Sequence, residues 1–227
     1  LSIPKNASPG TTNTAARNPF LFIVGSPRSG TTMLRRMINA HPQIQITRET
    51  HWIPKLFEKQ HGMSPEGIVS ERIVDKLFDH HRFSQMKIKR EALLEFLGSR
   101  DNVHYCELVS HIFDNYGKRK KKPLVGDKTP TYVRKLPTLV TLWPHVRILH
   151  LIRDGRDVWL SMRSWRMAHK AAGKFASWRV DPLVTTALWW KALVAIGRRD
   201  GALVDPGQYR EVRYESLVAQ PDAECQQ

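Results

Sequence analysis

An apolar run at residues 20–24 leads into a loop that Gly25 and Gly30 bracket, and apolar residues at helical spacing begin at Thr31. Five consecutive apolar residues are typical of a buried parallel strand, and glycines allow the backbone angles that a tight turn needs. A helix N-terminus after such a loop has free backbone amides, and its dipole favours negative charge. The segment therefore predicts a phosphate-binding loop, with the amides of residues 29–32 facing the ligand.

The loop almost matches the P-loop of nucleoside triphosphatases, in which a lysine and then Ser or Thr follow the second glycine. Thr31 stands where that lysine would be. Because the lysine contacts the β- and γ-phosphates, the loop is poorly suited to metal-nucleotide hydrolysis. Arg28 offers a positive charge instead, and a guanidinium can bind two oxygens of a phosphate or sulfate. The pattern favours an anion bound without a metal, against the alternative of a Gly-rich turn with no ligand.

Composition bounds the size of the protein and the charge of its partner. The 227 residues suit one ordinary α/β domain, and 36 Lys and Arg against 21 Asp and Glu give a net charge of +15. This excess predicts an acidic partner: a nucleotide, a polyanion, an acidic peptide or a membrane surface. Cys106 and Cys225 lie far apart, so neither a disulfide framework nor a zinc site is expected.

The domain organisation follows from local composition and periodicity. Residues 1–18 predict a flexible N-terminal arm, and residues 19–227 predict a single α/β domain with a helical insertion at about 55–117. A doubly wound sheet usually ends with another packed element, so part of the C-terminus is expected to be missing. No run approaches the roughly 20 apolar residues of a membrane span. A cytoplasmic location is the default expectation, unless a signal or anchor precedes residue 1.

Polar residues follow several of the predicted strands. Four more strands are expected, at residues 43–47, 123–128, 146–152 and 208–214. Glu49 follows the first of these, Asp127 and Lys128 end the second, and Arg153 ends the third, with Ser161 about two turns along the next helix. In open α/β sheets the ligand crevice lies at this edge. Arg153 and Ser161 could bind a further phosphate, whereas Lys128 is either an electrophile or an ordinary surface lysine.

These segments in combination resemble the sulfotransferases that use 3′-phosphoadenosine 5′-phosphosulfate (PAPS). In its motifs the sequence is most similar to tyrosylprotein sulfotransferases and their bacterial relatives. The resemblance spans most of the chain, in the same order. The segments that carry it are Pro27-Arg28-Ser29-Gly30-Thr31-Thr32, Ala40-His41-Pro42, Glu49-Thr50 before Ile53-Pro54, Lys128, Arg153-Asp154-Gly155-Arg156 with Ser161, and Tyr214-Glu215.

The resemblance implies roles for individual residues and a P-loop-like parallel sheet flanked by helices. Glu49 would be the general base, and Arg28 and Lys128 would stabilise charge on the departing phosphate oxygen during in-line transfer. Arg153 and Ser161 would bind the 3′-phosphate of PAPS, and no metal is expected. The 5′-phosphosulfate and nucleotide would contact the remaining residues, Ser29, Gly30, Thr31, Thr32 and Tyr214, together with Arg28.

Two positions depart from the family's pattern. Arg48 replaces an acidic residue expected beside the base, and Trp165 stands where a further phosphate-binding arginine is expected. The C-terminal segment that closes over the nucleotide in this family is expected to be missing as well. The acceptor therefore stays open between a peptide tyrosine, a carbohydrate and a small alcohol or phenol, and the oligomeric state stays open too.

Two other functions remain alternatives at this point. A magnesium-dependent P-loop kinase would explain the loop and make Asp127 a metal ligand, but it would not explain Thr31. A non-enzymatic polyanion binder would explain the net charge and the basic run at 118–122, although such runs are usually solvated loops and no nucleic acid is expected. Glu49 could likewise be a helix-start carboxylate that stabilises backbone amides.

Overall fold

Five parallel strands form one sheet in the residues that the computed structural model describes, 18–173 and 175–226. The strand order is β2-β3-β1-β4-β5. The strands are β1 (Leu21–Gly25), β2 (Ile44–Ile46), β3 (Leu124–Lys128), β4 (Arg147–Ile152) and β5 (Tyr209–Arg213). The parallel α/β fold predicted from the strand, loop and helix pattern is confirmed.

Helices cover both faces of the sheet and fill the connections between its strands. Three short 3₁₀-helices lie among them, at Phe83–Met86, Pro130–Lys135 and Ala176–Arg179. The α-helices of the described residues are α1 (Thr31–Ile38), α2 (Ile53–Glu58), α3 (Arg72–Phe78), α4 (Arg90–Gly98), α5 (Tyr105–Lys120), α6 (Leu136–Leu142), α7 (Gly155–Arg163), α8 (Ala168–Ala172), α9 (Pro182–Gly201), α10 (Tyr214–Ala219) and α11 (Pro221–Gln226).

Burial of β1 on both faces explains its unbroken apolar sequence. Phe22 and Val24 pack into the larger core cluster, whereas Ile23 packs into a second cluster with Leu34 of α1 and Leu217 of α10. Phe22, Ile23 and Val24 are all fully buried. Alternate side chains of a strand point to opposite faces, so helices on both faces require apolar residues at every position.

The helical insertion lies between β2 and β3 and consists of α2 to α5 with one 3₁₀-helix. Its apolar residues belong to the larger core cluster, among them Trp52, Leu93 and Phe113. The periodicity of residues 55–117 therefore predicted the insertion correctly. The basic run at 118–122 is not a loop throughout, because α5 continues to Lys120. Lys122 donates hydrogen bonds to the carbonyl oxygens of Asn39 and His41 at 2.6 and 3.0 Å.

The predicted N-terminal arm, residues 1–18, lies outside the described residues except at Asn18. That side chain is buried, donates to Asp114 and to the Pro123 carbonyl, and accepts from the Val125 amide. Asn18 therefore packs with the domain. None of the helices in the described part of the chain is long and apolar enough to cross a membrane.

Candidate functional site

The carboxyl ends of the parallel strands bring the predicted site residues to one edge of the sheet. Because β1 lies between β3 and β4, the loop after β1 lies between Lys128 at the end of β3 and Arg153 after β4. Glu49 follows β2, and Tyr214 follows β5. Neighbouring strands are about 4.8 Å apart, so the order along this edge is Glu49, Lys128, the loop, Arg153 and Tyr214.

Two glycines allow the loop after β1 to pass close to its neighbours. Gly25 has a φ of 152°, and a Cβ there would lie 2.4 Å from the carbonyl oxygen of Leu151. Gly30 has a φ of 94°, and a Cβ there would lie 2.5 Å from the Tyr214 ring. Arg28 also lies in the left-handed region, with a φ of 72°. A side chain at either glycine would push the loop away from β4 or from Tyr214.

The loop presents amides at the N-terminus of α1, but one fewer than the sequence predicted. The Ser29 amide donates to the Ser26 carbonyl oxygen at 3.2 Å, so it does not face a ligand; the tight turn itself uses this donor. Within the described residues, the amides of Gly30, Thr31 and Thr32 have no backbone acceptor. The hydroxyl of Ser29 is fully buried and has no hydrogen-bond partner there. An unpaired buried hydroxyl beside free amides suits an anionic ligand.

Glu49 is held by cationic and proton-donating side chains from several segments. Lys128 donates to Oε1 at 2.8 Å, Nε2 of His51 lies 3.0 Å from Oε2, and an Arg82 nitrogen lies 3.7 Å from Oε2. Burial opposes ionisation, but the hydrogen bond with His51 and the charge of Lys128 outweigh it and lower the pKa of Glu49 to about 2. Glu49 is therefore a carboxylate at neutral pH, and Nε2 of His51 carries the proton that it shares.

The backbone around Glu49 is fixed by the insertion and by a buried hydrogen-bond network. Gln85 donates to the Glu49 carbonyl oxygen at 3.1 Å. The Thr50 amide donates to the Thr129 hydroxyl at 3.0 Å, and the Thr50 hydroxyl lies 2.9 Å from the Tyr132 hydroxyl. Helix α2 begins only at Ile53, and its N-cap makes no side-chain hydrogen bond. The alternative that Glu49 caps a helix is therefore wrong.

Asp127 lies inside the fold beside the candidate site. Its side chain is fully buried, and the hydroxyl of Thr47 donates to Oδ2 at 2.9 Å. Burial raises the pKa of Asp127 to about 6, although hydrogen bonds from neighbouring threonines oppose the shift. Among the described residues, no group of three or more His, Cys, Asp and Glu could hold a metal ion. Asp127 thus belongs to a buried hydrogen-bond network, and Lys128 is the next residue in the chain.

Arg153 and Tyr214 form the other half of the site. The Arg153 guanidinium lies 4.3 Å from the centre of the Tyr214 ring, and one of its terminal nitrogens lies 3.5 Å from Oδ2 of Asp157. The carbonyl oxygen of Arg153 accepts a hydrogen bond from Trp190 at 3.0 Å. Nε of Arg153 is buried without a partner in the described residues. The ring of Tyr214 also packs directly on Gly30, so this aromatic side chain joins Arg153 to the loop.

The Ser161 side chain contacts the loop after β1. Nε of Arg28 donates to the Ser161 hydroxyl at 3.0 Å, and the Arg28 guanidinium lies 5.3 Å from the centre of the Trp165 ring. The sequence predicted that Ser161 would converge with Arg153. The structure pairs its hydroxyl with Nε of Arg28, a residue whose backbone lies in the left-handed region.

Sequence reasoning missed several residues around Glu49. His51 lies two positions after Glu49 in the same segment, and an ionisable ring so close to a proposed base was a signal that could have been used. Arg82 and Gln85 come from the insertion, more than 30 positions away, and nothing in the local sequence connects them to Glu49. Tyr132 reaches Thr50 from a 3₁₀-helix that follows β3.

The family model described as Sulfotransferase family matches residues 19–227. The chain belongs to this family. The resemblance inferred from the loop and from the Arg153 segment is thereby confirmed.

Relatives of this chain include proteins named for tyrosine sulfation. Over 207 residues it is 26% identical to protein-tyrosine sulfotransferase A of Caenorhabditis elegans, an alignment covering 91% of this chain and 48% of the relative. It is 30% identical over 139 residues to protein-tyrosine sulfotransferase 1 of Homo sapiens, which covers 61% of this chain and 32% of the relative. The chain therefore spans at most about half the length of either relative.

Solved structures agree with the fold of this chain. The sulfotransferase domain from the curacin biosynthetic pathway superposes with a TM-score of 0.58 at 23% identity, over 91% of this chain and 70% of that one. The sulfotransferase domain from the Synechococcus PCC 7002 olefin synthase gives a TM-score of 0.53 at 22% identity, over 94% and 72% of the two chains. At this identity the likeness concerns the fold alone.

Proposed function

We propose that this protein transfers the sulfuryl group of PAPS to an acceptor hydroxyl, with Glu49 as general base. The observation that carries the proposal is the pair of Glu49 and Lys128, 2.8 Å apart, at the same sheet edge as a lysine-free anion-binding loop. A base and a cation beside an anion-binding loop are the groups that sulfuryl transfer needs. An ATP-dependent reaction would need the lysine that Thr31 replaces.

The residues around the loop after β1 fit PAPS as the sulfuryl donor. The free amides of Gly30, Thr31 and Thr32 and the unpaired hydroxyl of Ser29 would bind the 5′-phosphosulfate. PAPS supplies a sulfuryl group on a phosphate that leaves as a stable anion. On the other side of the loop, the partnerless Nε of Arg153 offers a donor to the 3′-phosphate. Tyr214, which lies against both Gly30 and Arg153, would contact the nucleotide.

Glu49 takes the proton of the acceptor hydroxyl as that oxygen bonds to sulfur and the bond from sulfur to the phosphate oxygen breaks. Each carboxylate oxygen has two lone pairs, so Glu49 can accept this proton while it keeps a contact to His51. A carboxyl with a pKa of about 2 is a weak base. When Lys128 turns from Glu49 toward the leaving oxygen, its charge no longer depresses the pKa of Glu49. Proton transfer and charge stabilisation are coupled through this lysine.

The surroundings of Glu49 favour an acidic acceptor segment. A cavity of about 290 Å³ opens beside His51 and Tyr132. Its other lining residues are mostly basic: Pro54, Lys55, Glu58, Lys59, Thr131, Arg134 and Lys135. Of these basic residues, only Lys135 forms an ion pair with Glu58, with its Nζ 2.6 Å from Oε2. Together with the relatives named protein-tyrosine sulfotransferase, this supports a tyrosine in an acidic protein segment as the acceptor.

The proposal is tested by binding and transfer experiments on the same preparation. Calorimetry would compare the donor product, 3′-phosphoadenosine 5′-phosphate, with ATP plus magnesium. Radiolabelled PAPS and acidic tyrosine peptides, with phenylalanine peptides as controls, would then report transfer. We expect metal-free binding of the bisphosphate and label on tyrosine peptides only. Preference for magnesium ATP would instead favour a kinase, and label on glycans but not on peptides would refute the proposed acceptor.

A further inference from the structure

We propose that Asp127 positions the candidate base, because it fixes the Glu49 segment, residues 47–50, against the end of β3. The inference rests on the proposed function, which gives Glu49 its role as general base. It starts from the place where an edge strand ends. β2 lies at the edge of the sheet and ends at Ile46, three positions before Glu49. Strand pairing therefore does not hold Glu49 itself.

Side chains continue the contact between the two segments where strand pairing ends. The Thr47 amide still donates to the Gly126 carbonyl oxygen at 2.9 Å. After it, three consecutive residues at the end of β3 each contact the Glu49 segment through a side chain. The three hydrogen bonds run from the Thr47 hydroxyl to Oδ2 of Asp127 at 2.9 Å, from Nζ of Lys128 to Oε1 of Glu49 at 2.8 Å, and from the Thr50 amide to the Thr129 hydroxyl at 3.0 Å.

Asp127 contributes to both of the outer contacts. It accepts the Thr47 hydroxyl directly. The Thr129 hydroxyl accepts from the Thr50 amide, which leaves its own proton free to point elsewhere. Burial raises the pKa of Asp127, and a hydrogen bond from the Thr129 hydroxyl opposes that shift. One buried carboxylate thus orients a hydroxyl on each side of Glu49.

The position of Glu49 depends on these contacts because its own side chain is not enclosed. Its exposed fraction is 29%, whereas Asp127, Thr47 and Thr129 are fully buried. A general base must lie within hydrogen-bond reach of the acceptor hydroxyl, and a displacement of about 1 Å can cost about 100-fold in rate. Asp127 acts on Glu49 through Thr47 and Thr129, so it is a positioning residue.

The test removes one hydroxyl that Asp127 accepts and leaves every charge in place. Thr47→Val keeps the shape of the side chain without the donor, and Thr47→Ser restores the donor. Thr186→Val is the matched control. Thr186 is buried in α9, and its hydroxyl donates to the Pro182 carbonyl oxygen at 2.8 Å. This control also removes a buried threonine hydroxyl, but in another element of the fold.

The first measurement is the titration of Glu49, followed by carbon-13 NMR of the glutamate carboxyl groups from pH 7 to pH 4. Glu49→Gln assigns the signal. Against the effect of burial, the contacts with His51 and Lys128 lower the pKa of Glu49 to about 2, so the wild-type signal should stay constant. In Thr47→Val the released segment withdraws Glu49 from Lys128, and the signal should titrate toward the ordinary value of about 4.5. Thr47→Ser and Thr186→Val should follow the wild type.

The second measurement separates the base from the donor loop. Single-turnover transfer from PAPS to an acidic tyrosine peptide should fall about 10- to 100-fold in Thr47→Val and recover in Thr47→Ser. Affinity for 3′-phosphoadenosine 5′-phosphate should stay within about twofold. Asp127→Asn removes the charge that orients both hydroxyls and should also lower transfer. The double variant of Asp127→Asn and Thr47→Val should match Asp127→Asn alone, because Thr47 acts through Asp127.

The titration needs neither donor nor acceptor, so the outcomes separate this inference from the proposed function. An unchanged titration of Glu49 in both Thr47→Val and Asp127→Asn would overturn the inference and leave the proposed function standing. The same shift in Thr186→Val would overturn it too, as would a wild-type Glu49 that titrates near pH 4.5. A shift confined to Thr47→Val and Asp127→Asn, in a protein that transfers no sulfuryl group, would support the positioning by Asp127 and overturn the proposed function.

Discussion

At the residue scale, the environment of Glu49 decides its chemistry. Lys128 and His51 each engage one carboxylate oxygen, and together they lower the pKa of Glu49 to about 2 against the effect of burial. Lys128 is almost fully buried, whereas Glu49 is partly open to the solvent. A buried lysine keeps its charge most easily beside a carboxylate, so the two residues depend on each other.

Glu49→Gln should abolish most transfer while leaving donor binding in place. A glutamine is similar in shape but cannot accept a proton from the acceptor hydroxyl, and loss of a general base typically costs about 10²- to 10⁴-fold in kcat. Single-turnover transfer and bisphosphate calorimetry on the same variant would measure the two effects. Full activity of Glu49→Gln would show that another group is the base, with His51 as the first residue to replace.

The same pKa predicts how acid acts on the folded protein. The pKa of Glu49 in the folded state lies below the ordinary carboxyl value, so its ionisation stabilises the fold above about pH 4.5. This contribution is lost as the pH falls from about 4.5 to about 2. Urea unfolding of wild type and Glu49→Gln at pH 6 and pH 3.5 should show a smaller loss of stability in the variant. An equal loss in both proteins would contradict the shifted pKa.

At the element scale, the turn between β1 and α1 and the segment before α2 carry the candidate site. The first is shaped by glycines that press against β4 and Tyr214. The second is anchored by hydroxyl groups, because Tyr132 bonds to Thr50 and accepts from the Ile53 amide at 3.2 Å. Both segments are short, and both are held by residues distant in sequence.

Gly30→Ala should destabilise the protein by about 1 to 3 kcal/mol, from the strained backbone and the contact with Tyr214. Combining it with Tyr214→Ala should recover the steric part of that loss, since the added methyl group then has room. Urea unfolding of the single and double variants forms a double-mutant cycle. The absence of coupling would mean that the ring does not pack on the loop in solution.

Tyr132→Phe should cost about 1 to 2 kcal/mol, because the Thr50 hydroxyl and the Ile53 amide lose a buried partner. It should also lower transfer more than bisphosphate binding, since the segment it loosens carries Glu49 and not the donor loop. Phe57→Leu, a packing change beside Tyr105 in the insertion, is the matched control for stability alone. Equal effects of both variants on transfer would argue against anchoring by Tyr132.

At the scale of the whole molecule, a histidine in the central sheet couples folding to pH. His150 in β4 is buried against Gly197 of α9 and bonds to the Tyr209 hydroxyl at 2.7 Å. Burial lowers its pKa to about 4.

His150 should make the fold lose stability as the pH falls from about 6.5 to about 4. Its folded pKa lies below the ordinary imidazole value, so the unfolded chain binds this proton first and the stabilisation exists above about pH 6.5. His150→Gln should flatten the dependence of unfolding free energy on pH across this interval, whatever its absolute stability. Thermal or urea unfolding at pH 7.5, 5.5 and 4.5 would measure the slopes. Parallel curves for the two proteins would exclude His150 as the cause.

From the amino-acid sequence alone, the strands, the loop between β1 and α1, and the family could be predicted. These features depend on neighbours in the chain: an apolar run predicts β1, glycine spacing predicts the turn, and helical periodicity predicts α1 and the insertion. The placement of the polar groups at one sheet edge also followed, because parallel strands end at one edge. Their order along that edge needed the strand order of the structure. The predicted roles of Glu49, Lys128, Arg153 and Tyr214 were read from motifs and remain proposals.

Which of these side chains touch depends on tertiary packing. Arg28 bonds to Ser161 across 133 positions, and Arg82 and Gln85 reach Glu49 from a helical insertion whose packing has no local signal. The sequence also did not predict that the Ser29 amide donates a hydrogen bond within its own turn. Strand and helix formation reflects short-range backbone and burial preferences, whereas hydrogen bonds between distant side chains depend on how the elements pack. The pKa of Glu49 depends on that packing as well.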